Sequence, residues 1–326
     1  MLALIGLATP SVGLLGNSLL PDPNTSIERI AFGSCSRTSL PQWYWERAAS
    51  LRPDLWIWLG DAVYGRDYDE EDLRRKFLLQ KDLPEYQAFR EKVPIIGVWD
   101  DHDYGINDAG ADHPYKEKAR DWFLDFVDEP EDSPRRTREG IYTSYRFGIP
   151  GKQVLIILLD TRFNASPKGR NGTLLGDEQW DWLESELTAP HADVTLIGSS
   201  IQVIPTQHRF EKWANFPDER KRLLNLIEVL KVPNLFILSG DRHITEFSRL
   251  NLAHSPNGEL WEYTSSGLTH PWAKLKQEPN RFRVGDFINQ HNFGWIEIDW
   301  TARTIRLDVV TRDDGVVVSH TLPLKE

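Results

Sequence analysis

Short apolar segments alternate with helical patterns through the first two thirds of this chain, and strand patterns follow one another in the last third. The apolar runs predict buried strands at residues 27–33, 54–59, 93–99, 141–147, 153–159, 194–198 and 235–238. Amphipathic patterns predict helices at residues 42–51, 69–80, 115–127, 177–187 and 218–230, the fourth with Asp177 as its N-cap. Further strands are predicted at residues 260–264, 295–300, 304–310 and 316–320. This order predicts a layered α/β sheet core flanked by helices, in one domain over residues 27–326.

The charge balance argues against one broad class of function. The chain has 326 residues, of which 27% are charged, and 49 acidic side chains against 38 basic ones give a formal net charge of −11. A surface that coats nucleic acid carries the opposite sign, so we expect no broad nucleic-acid binding. The net charge does not exclude a local basic pocket.

Cys35 is the single cysteine, so no intramolecular disulfide can form.

The first 20 residues contain no charged side chain and fit the apolar part of an export signal. An ordinary N-terminus packed on the surface is the alternative. Gly6, Pro10, Gly13 and Gly16 interrupt the run, which is too short and broken to predict a transmembrane helix. We therefore separate residues 1–26 from the domain and expect a periplasmic or secreted protein, with a cytoplasmic one as the alternative.

Four of the predicted strands end abruptly in side chains that can bind a metal ion. These ends are residues 32–35 (Phe-Gly-Ser-Cys), 59–64 (Leu-Gly-Asp-Ala-Val-Tyr), 98–103 (Val-Trp-Asp-Asp-His-Asp) and 238–243 (Leu-Ser-Gly-Asp-Arg-His). In open α/β sheets, sites assemble in the crevice outside the carboxyl ends of the strands. We therefore expect the four ends to meet around a shared ion.

Taken singly, these side chains have ordinary structural explanations. Cys35 alone is more often a small buried hydrophobic residue than a ligand, and Tyr64 alone is more often a packing residue. His102 and His243 alone could be hydrogen-bonded core histidines. Their combination at four strand ends favours a metal site, and the mixture of carboxylate, imidazole, phenolate and thiolate suits a transition metal.

The carboxylates strengthen this interpretation. Asp100, Asp101 and Asp103 repel one another unless cations neutralise them or the side chains fan out into water. Fanning out is the usual explanation for a lone Asp pair in a loop. It is less convincing here, because Asp61 and Asp241 follow apolar runs in the same way.

The four segments, in this order, resemble the alkaline phosphatase D (PhoD-like) family of the metallophosphatase, or calcineurin-like phosphoesterase, superfamily. Tyr64 stands where most of the superfamily carries Asp, Asp101 where it carries Asn, and Asp241 where it carries His. These departures are similar to those of the PhoD-like branch. Further segments similar to that branch are residues 159–162, 176–183 and 264–270, so the resemblance spans roughly residues 28–272.

The resemblance implies a four-layer αββα sandwich of two facing mixed sheets, and a phosphoesterase that acts as an alkaline phosphatase, a phosphodiesterase or both on a small phosphate ester. It also implies ferric iron with calcium, although other divalent metals stay open. The metal ligands that it implies are Cys35, Asp61, Tyr64, Asp101, Asp241 and His243. Asn107 is expected to line the same pocket.

We predict that a metal-bound hydroxide attacks phosphorus, with Asp61 bridging two ions. His102 and Asp101 are the predicted catalytic residues, and His102 would give a proton to the leaving oxygen or hydrogen-bond the phosphate. Arg162 would clamp a phosphoryl oxygen, with an ion pair to a nearby carboxylate as an equally good alternative.

Two other classes of function stay open. A phosphate or phospholipid sensor would keep the ligands without turnover. The 13 Trp prompt a carbohydrate-binding or glycosidase-like alternative, but many of them fall inside predicted helices or strands, where core packing explains them more simply. Trp272, in a predicted loop, is the exception and could wall the substrate entrance. The choice between monoester and diester, and the oligomeric state, stay open.

Overall fold

The computed structural model describes residues 20–325. Its strands are β1 Arg29–Gly33, β2 Leu55–Leu59, β3 Ile95–Val98, β4 Thr143–Phe147, β5 Val154–Leu158, β6 Val194–Ser199, β7 Leu235–Ser239, β8 Thr245–Asn251, β9 Glu259–Ser265, β10 Arg283–Ile288, β11 Asn292–Asp299, β12 Thr304–Thr311 and β13 Gly315–Pro323. Its α-helices are α1 Tyr44–Leu51, α2 Glu70–Lys81, α3 Pro84–Arg90, α4 Asp101–Tyr104, α5 Lys116–Phe126, α6 Asp177–Thr188 and α7 Pro217–Leu230. Short 3-10 turns lie at Pro134–Arg136 and Trp213–Asn215.

The predicted export signal covers the first 20 residues, and all of them except Leu20 lie outside the described part of the chain. The division into residues 1–26 and one domain over 27–326 stays a prediction. None of the helices between residues 20 and 325 combines the length and the apolar character that a membrane crossing requires.

Two mixed sheets contain all the strands named above. The first has the strand order β13-β12-β11-β1-β2-β3, with β1, β2 and β3 parallel and β11 to β13 forming an antiparallel meander. The second has the order β10-β8-β9-β7-β6-β5-β4, with β5, β6, β7 and β9 parallel. Parallel strands end at one edge of their sheet, so the loops after β1, β2 and β3 lie side by side.

The two sheets face each other across an apolar core. Phe32 of β1 meets Tyr263 of β9 edge to face, with ring centroids 4.8 Å apart. Leu59 of β2 also points at the second sheet, because a Cβ at Gly198 of β6 would lie 2.9 Å from its Cδ2 atom. This close packing brings the carboxyl ends of strands from both sheets to one edge of the molecule.

Aromatic side chains attach α1, α3 and α5 to the outer face of the first sheet. Trp45 of α1 lies 4.8 Å from Trp56 and 5.5 Å from Trp58, measured between ring centroids. The Trp58 indole donates a 3.2 Å hydrogen bond to the Tyr86 hydroxyl of α3, and Phe126 of α5 packs 6.1 Å from the same indole. Alternate residues of β2 thus pack on opposite faces of the first sheet, as the pleat of a strand requires.

The outer face of the second sheet is covered by α6 and α7 through Trp180, Leu183, Leu223 and Ile227. The result is a four-layer αββα sandwich, which confirms the predicted fold. Core packing is also confirmed for the six tryptophans assigned to it. Four of them are buried, namely Trp45, Trp56, Trp58 and Trp180. The other two, Trp43 and Trp182, are partly buried against the hydrophobic clusters.

The sequence patterns failed at a few local features. The prediction of Asp177 as an N-cap is wrong, because Asp177 is the first residue of α6 and Gly176, with φ 76°, precedes it. In the first turn the Asp177 carboxylate can still interact with the helix dipole. The patterns also missed α3, α4, β8 and β10. One turn of α4 is too short to show a period, and β10 carries Gly285 and side chains that are half-buried or exposed.

Arg135 closes the open edge of the first sheet beside β3. Its guanidinium donates to the Gly97 carbonyl of β3 at 2.9 Å and to the Ile141 carbonyl at 2.8 Å, and it pairs with Glu129 at 2.6 Å. Since β3 has a strand neighbour on only one side within the described sheet, Arg135 satisfies a carbonyl that would otherwise be buried without a partner.

Replacing Arg135 with Met should lower the free energy of unfolding by about 3 kcal/mol, because the change leaves Oε2 of Glu129 and two buried carbonyls without the guanidinium that donates to them. Urea denaturation followed by tryptophan fluorescence measures the loss. The exposed Arg74→Met variant should stay within about 0.5 kcal/mol of the parent. Equal effects of the two substitutions would contradict this role for Arg135.

Candidate metal centre

The ends of four strands from the two sheets bring their polar side chains together. Cys35 follows β1, Asp61 follows β2, Asp101 follows β3, and His243 follows β7 in the facing sheet. Ligand atoms of Cys35, Asp61 and His243 all lie within 4.8 Å of one another. The thiol of Cys35 donates to Asp61 Oδ2 at 3.3 Å, and the Tyr64 hydroxyl donates to the same oxygen at 2.9 Å.

Three further groups of ligand atoms adjoin this one, and one of them joins Asp101 to Asp108 and Glu211. Asp61 also belongs to a group with Asp101 and His102, and Asp101 belongs to another with Asp100 and Asp241. The atoms of each group again lie within 4.8 Å of one another. Because Asp61 and Asp101 are shared between groups, the arrangement can hold neighbouring ions rather than a single one. All six predicted ligands and His102 therefore surround one site, and their individual roles stay predictions.

The backbone carries the ligands in an unusual conformation. Cys35, Asp61, Asp241 and His243 all have positive φ, at 62°, 51°, 65° and 54°. Left-handed backbone is uncommon for residues with a side chain and costs about 1–2 kcal/mol each. Gly60 permits the tight passage before Asp61, since a Cβ there would lie 2.3 Å from Asp100 Cβ. Such strain, repeated at four converging side chains, is typical of functional sites.

Unpartnered oxygens show that this pocket fits a cation. Asp61 Oδ1, Asp100 Oδ2 and Asp101 Oδ1 are buried and have no hydrogen-bond partner within residues 20–325. Buried polar atoms in folded proteins are almost always satisfied. Carboxylate oxygens that lack a donor are the atoms a metal ion would coordinate. The acidic clusters are thus able to bind metal ions.

Burial and mutual repulsion shift the titration of the acidic groups. Burial raises the pKa of the Cys35 thiol to about 11 and that of Asp241 to about 7. The pKa of Asp61 rises well above its usual value, through burial first and then through Cys35 and the neighbouring aspartates. A bound cation reverses these shifts because it stabilises the deprotonated forms.

The pKa values of Asp101 and His102 are lowered. Burial acts to raise the pKa of Asp101, but Arg162, His102 and two backbone N–H groups outweigh it, so the pKa is lowered. The pKa of His102 is also lowered, through burial, with the nearby His243 acting in the same direction. Asp101 is therefore the carboxylate of the site that is most readily anionic, and His102 is held towards its neutral form.

Asp103 joins two of the loops instead of facing the ligands. Its carboxylate accepts from Val63 N at 2.9 Å and from Asp100 N at 3.1 Å, which completes a capping box at the start of α4. The cluster of aspartates at 100–103 thus divides into a structural member and members that face the site.

Ser266 and His270 support the ligands, and the sequence patterns did not single them out. The Ser266 hydroxyl lies 3.0 Å from Cys35 Sγ and accepts the His243 backbone N–H at 2.7 Å. The His270 carbonyl lies 2.7 Å from His243 Nδ1, which orients that ring. Both follow β9, within residues 264–270 of the family resemblance, which was the available signal.

Arg162 lies in the wall of the site, where it is buried. It donates to Asp100 Oδ1 at 2.6 Å and pairs with Glu211, while Ser200 donates to the same Asp100 oxygen at 2.8 Å. This is the ion pair that stood as the alternative to a phosphate clamp, and the clamp stays a prediction. Glu211 lies between β6 and α7 and had no signal in the sequence.

Asn107 does not join the ligand atoms. It is exposed and its amide bonds Asp108 at 3.2 Å, while Asp108 N donates to Asp101 Oδ2 at 2.9 Å. It therefore reaches the centre only through its neighbour, and its role in substrate binding stays a prediction.

The fold and site define a metallophosphatase-like protein, and comparisons with known proteins give its family. The sequence pattern of the PhoD-like phosphatase family matches residues 30–309. The chain belongs to that family. Alkaline phosphatase D of Bacillus subtilis (strain 168) is 22% identical over 286 residues, which cover 72% of this chain and 49% of that protein. The chain thus spans about half the length of the curated relative it matches.

Solved structures share the fold. A structure of PhoD superposes with a TM-score of 0.72 at 18% identity and covers 94% of this chain and 72% of its own. The structure of purple acid phosphatase PPD1 from yellow lupin (Lupinus luteus) seeds superposes with a TM-score of 0.66 at 13% identity, and the match covers 92% of this chain and 54% of that one. The structure of GAP50, the anchor in the inner membrane complex of Plasmodium, superposes with a TM-score of 0.62 at 15% identity, and the match covers 93% of this chain and 90% of that one. At these identities, the likeness is one of fold.

Adding metal ions to chelated protein should raise the melting temperature by roughly 5 °C at 100 times the dissociation constant, because the ions bind the folded state alone. Differential scanning fluorimetry measures the shift. Asp61→Asn should reduce it strongly, since Asp61 belongs to two ligand groups. The exposed Asp132→Asn variant should keep the full shift. The same shift in both variants would contradict the assignment.

Proposed function

We propose that this protein hydrolyses phosphate esters with metal ions held at the strand ends. The observation that carries the proposal is that adjacent ligand groups share Asp61 and Asp101, with His102 in one of them. A pair of neighbouring ions beside a proton donor suits in-line displacement at phosphorus, because two ions can stabilise both the attacking and the leaving oxygen. Membership of the PhoD-like phosphatase family supports the same activity.

We propose ferric iron with calcium as the metals. Cys35 and Tyr64 are anionic donors once deprotonated, and thiolate and phenolate favour a highly charged transition metal. Asp100, Asp101 and Asp241 supply oxygen atoms alone, which suit a hard cation such as calcium. When bound, such ions lower the pKa of water and neutralise phosphoryl oxygens. Elemental analysis of protein purified without added metal distinguishes this pair from other ions.

His102 is the residue that we propose gives a proton to the leaving oxygen. Its ring packs against Tyr64, with centroids 4.2 Å apart, and that contact fixes its orientation beside the ligands. Burial keeps the pKa of His102 below the usual value, so in this role the ring would take up its proton when the negatively charged phosphate binds and then pass it to the leaving oxygen. Arg162, whose charge is shared between Asp100 and Glu211, positions Asp100 and adds positive charge to the wall.

The decisive test is turnover of a chromogenic phosphomonoester and a phosphodiester before and after chelation. We expect cleavage of at least one ester by metal-loaded protein, loss on chelation, and recovery on adding metal back, since the ions carry the electrostatic stabilisation. A metal-loaded protein that cleaves neither ester would overturn the proposed function and favour the phosphate-sensor alternative.

His102→Ala should lower kcat by about 100-fold or more, because general acid catalysis contributes about that much. Metal content, measured by elemental analysis, should stay near the parent level. His254→Ala, which changes an exposed histidine, is the matched control and should leave both quantities unchanged. If the His102 variant loses metal and activity in the same proportion, His102 is a ligand rather than a proton donor.

A further inference from the structure

A groove adjoins the metal centre on the side of His243. Trp272 stacks on the His243 ring, with centroids 5.3 Å apart and planes at 24°, and Phe210 lies 4.7 Å from Trp272. Two loops line the groove, one over residues 207–210 and the other over residues 272–279, and they enclose about 550 Å³. One aromatic ring therefore separates this space from a predicted metal ligand.

The wall of the groove holds polar groups whose hydrogen bonds are incomplete. His208 is 4% exposed, and neither of its ring nitrogens has a partner between residues 20 and 325. The same holds for Glu278 Oε2 and for Nε of Arg242, whose guanidinium packs against the rings of Phe210 and Trp272, although Arg242 and Glu278 pair with each other through other atoms. Several unsatisfied buried groups around one space indicate that polar atoms of a ligand or of water complete them.

The two loops are basic in a protein that is acidic as a whole. Arg209 lines the groove, and Lys274, Lys276 and Arg281 are exposed on the second loop or just after it. None of the four forms an ion pair with any part of the chain that the structure describes. Against a formal net charge of −11, unpaired cations beside the site attract a negatively charged ligand.

We propose that this groove binds the organic part of the substrate, and that this part carries an aromatic ring and a second negative charge, as a nucleotide does. The inference rests on the proposed function and names its substrate class. Phe210 and Trp272 supply the aromatic contact, Arg209 supplies positive charge in the groove, and Lys274 and Lys276 add positive charge on the loop beside it. This is the local basic pocket that the overall charge left open.

Competitive inhibition against hydrolysis of p-nitrophenyl phosphate, or of its bis ester, tests the groove with three ligands. Thymidine 3′,5′-bisphosphate has the base and a second phosphate, thymidine 5′-monophosphate has the base alone, and glycerol 2-phosphate has neither. We expect Ki to fall along the series from glycerol 2-phosphate to the bisphosphate, by about tenfold or more overall. High salt should weaken binding of the bisphosphate most, because the attraction between its second phosphate and the basic side chains is electrostatic.

Variants separate the aromatic contribution to binding from the electrostatic one. Phe210→Ala should weaken binding of both thymidine ligands by about tenfold, and Arg209→Gln should weaken binding of the bisphosphate most. Neither should change Ki for glycerol 2-phosphate by more than about twofold, and the exposed Arg74→Gln control should change none of the three. Equal Ki values for the three ligands, or equal weakening of all three in both variants, would overturn the groove assignment while leaving the esterase function intact.

Calorimetric binding of the same ligands decides the question if no ester is cleaved. In that case the proposed function fails, and tighter binding of the bisphosphate that depends on Arg209 still supports the groove. Equal affinity for thymidine 3′,5′-bisphosphate and glycerol 2-phosphate would overturn the groove as well.

Discussion

Electrostatic repulsion among buried carboxylates is the constraint around which this structure is built. Asp61, Asp100 and Asp101 are buried and Asp241 is half-buried, and all four meet just after strands of two facing sheets, where like charges are costly. Arg162 is the buried cation that pairs with one of them, and it shares its charge with Glu211. The remaining negative charge and the unpartnered oxygens make the folded protein able to bind metal ions at this cluster.

A rigid scaffold has to hold this unfavourable cluster together. The sheets pack through interlocking apolar side chains, and the outer helices are attached through a layer of aromatic rings. Short polar contacts then join the loops, among them the capping box of Asp103 and the hydroxyl of Ser266. The same scaffold supports the left-handed backbone at four of the predicted ligands, and the surrounding packing offsets its cost.

Charge is distributed unevenly over the surface around the site. The protein is acidic overall, yet Arg209 and two aromatic rings line the groove beside His243, and further basic side chains lie on the adjoining loop. Specificity for a phosphate ester can thus be divided between two neighbouring regions. The metal centre would act on the phosphoryl group common to all such esters, and the groove would distinguish among their organic parts.

The sequence by itself determined the strand ends, the family and most of the residues at the site. Apolar runs that stop at Cys35, Asp61, Asp101 and His243 are local patterns, and the period of helices and strands is local too. Tertiary structure alone decided which groups touch. Glu211 and Ser266 reach the site through packing between elements distant in the chain, and Arg162 meets Asp100 across 62 residues. The unsatisfied atoms of the groove likewise exist only once two loops meet, because satisfaction of a polar atom depends on its neighbours in space.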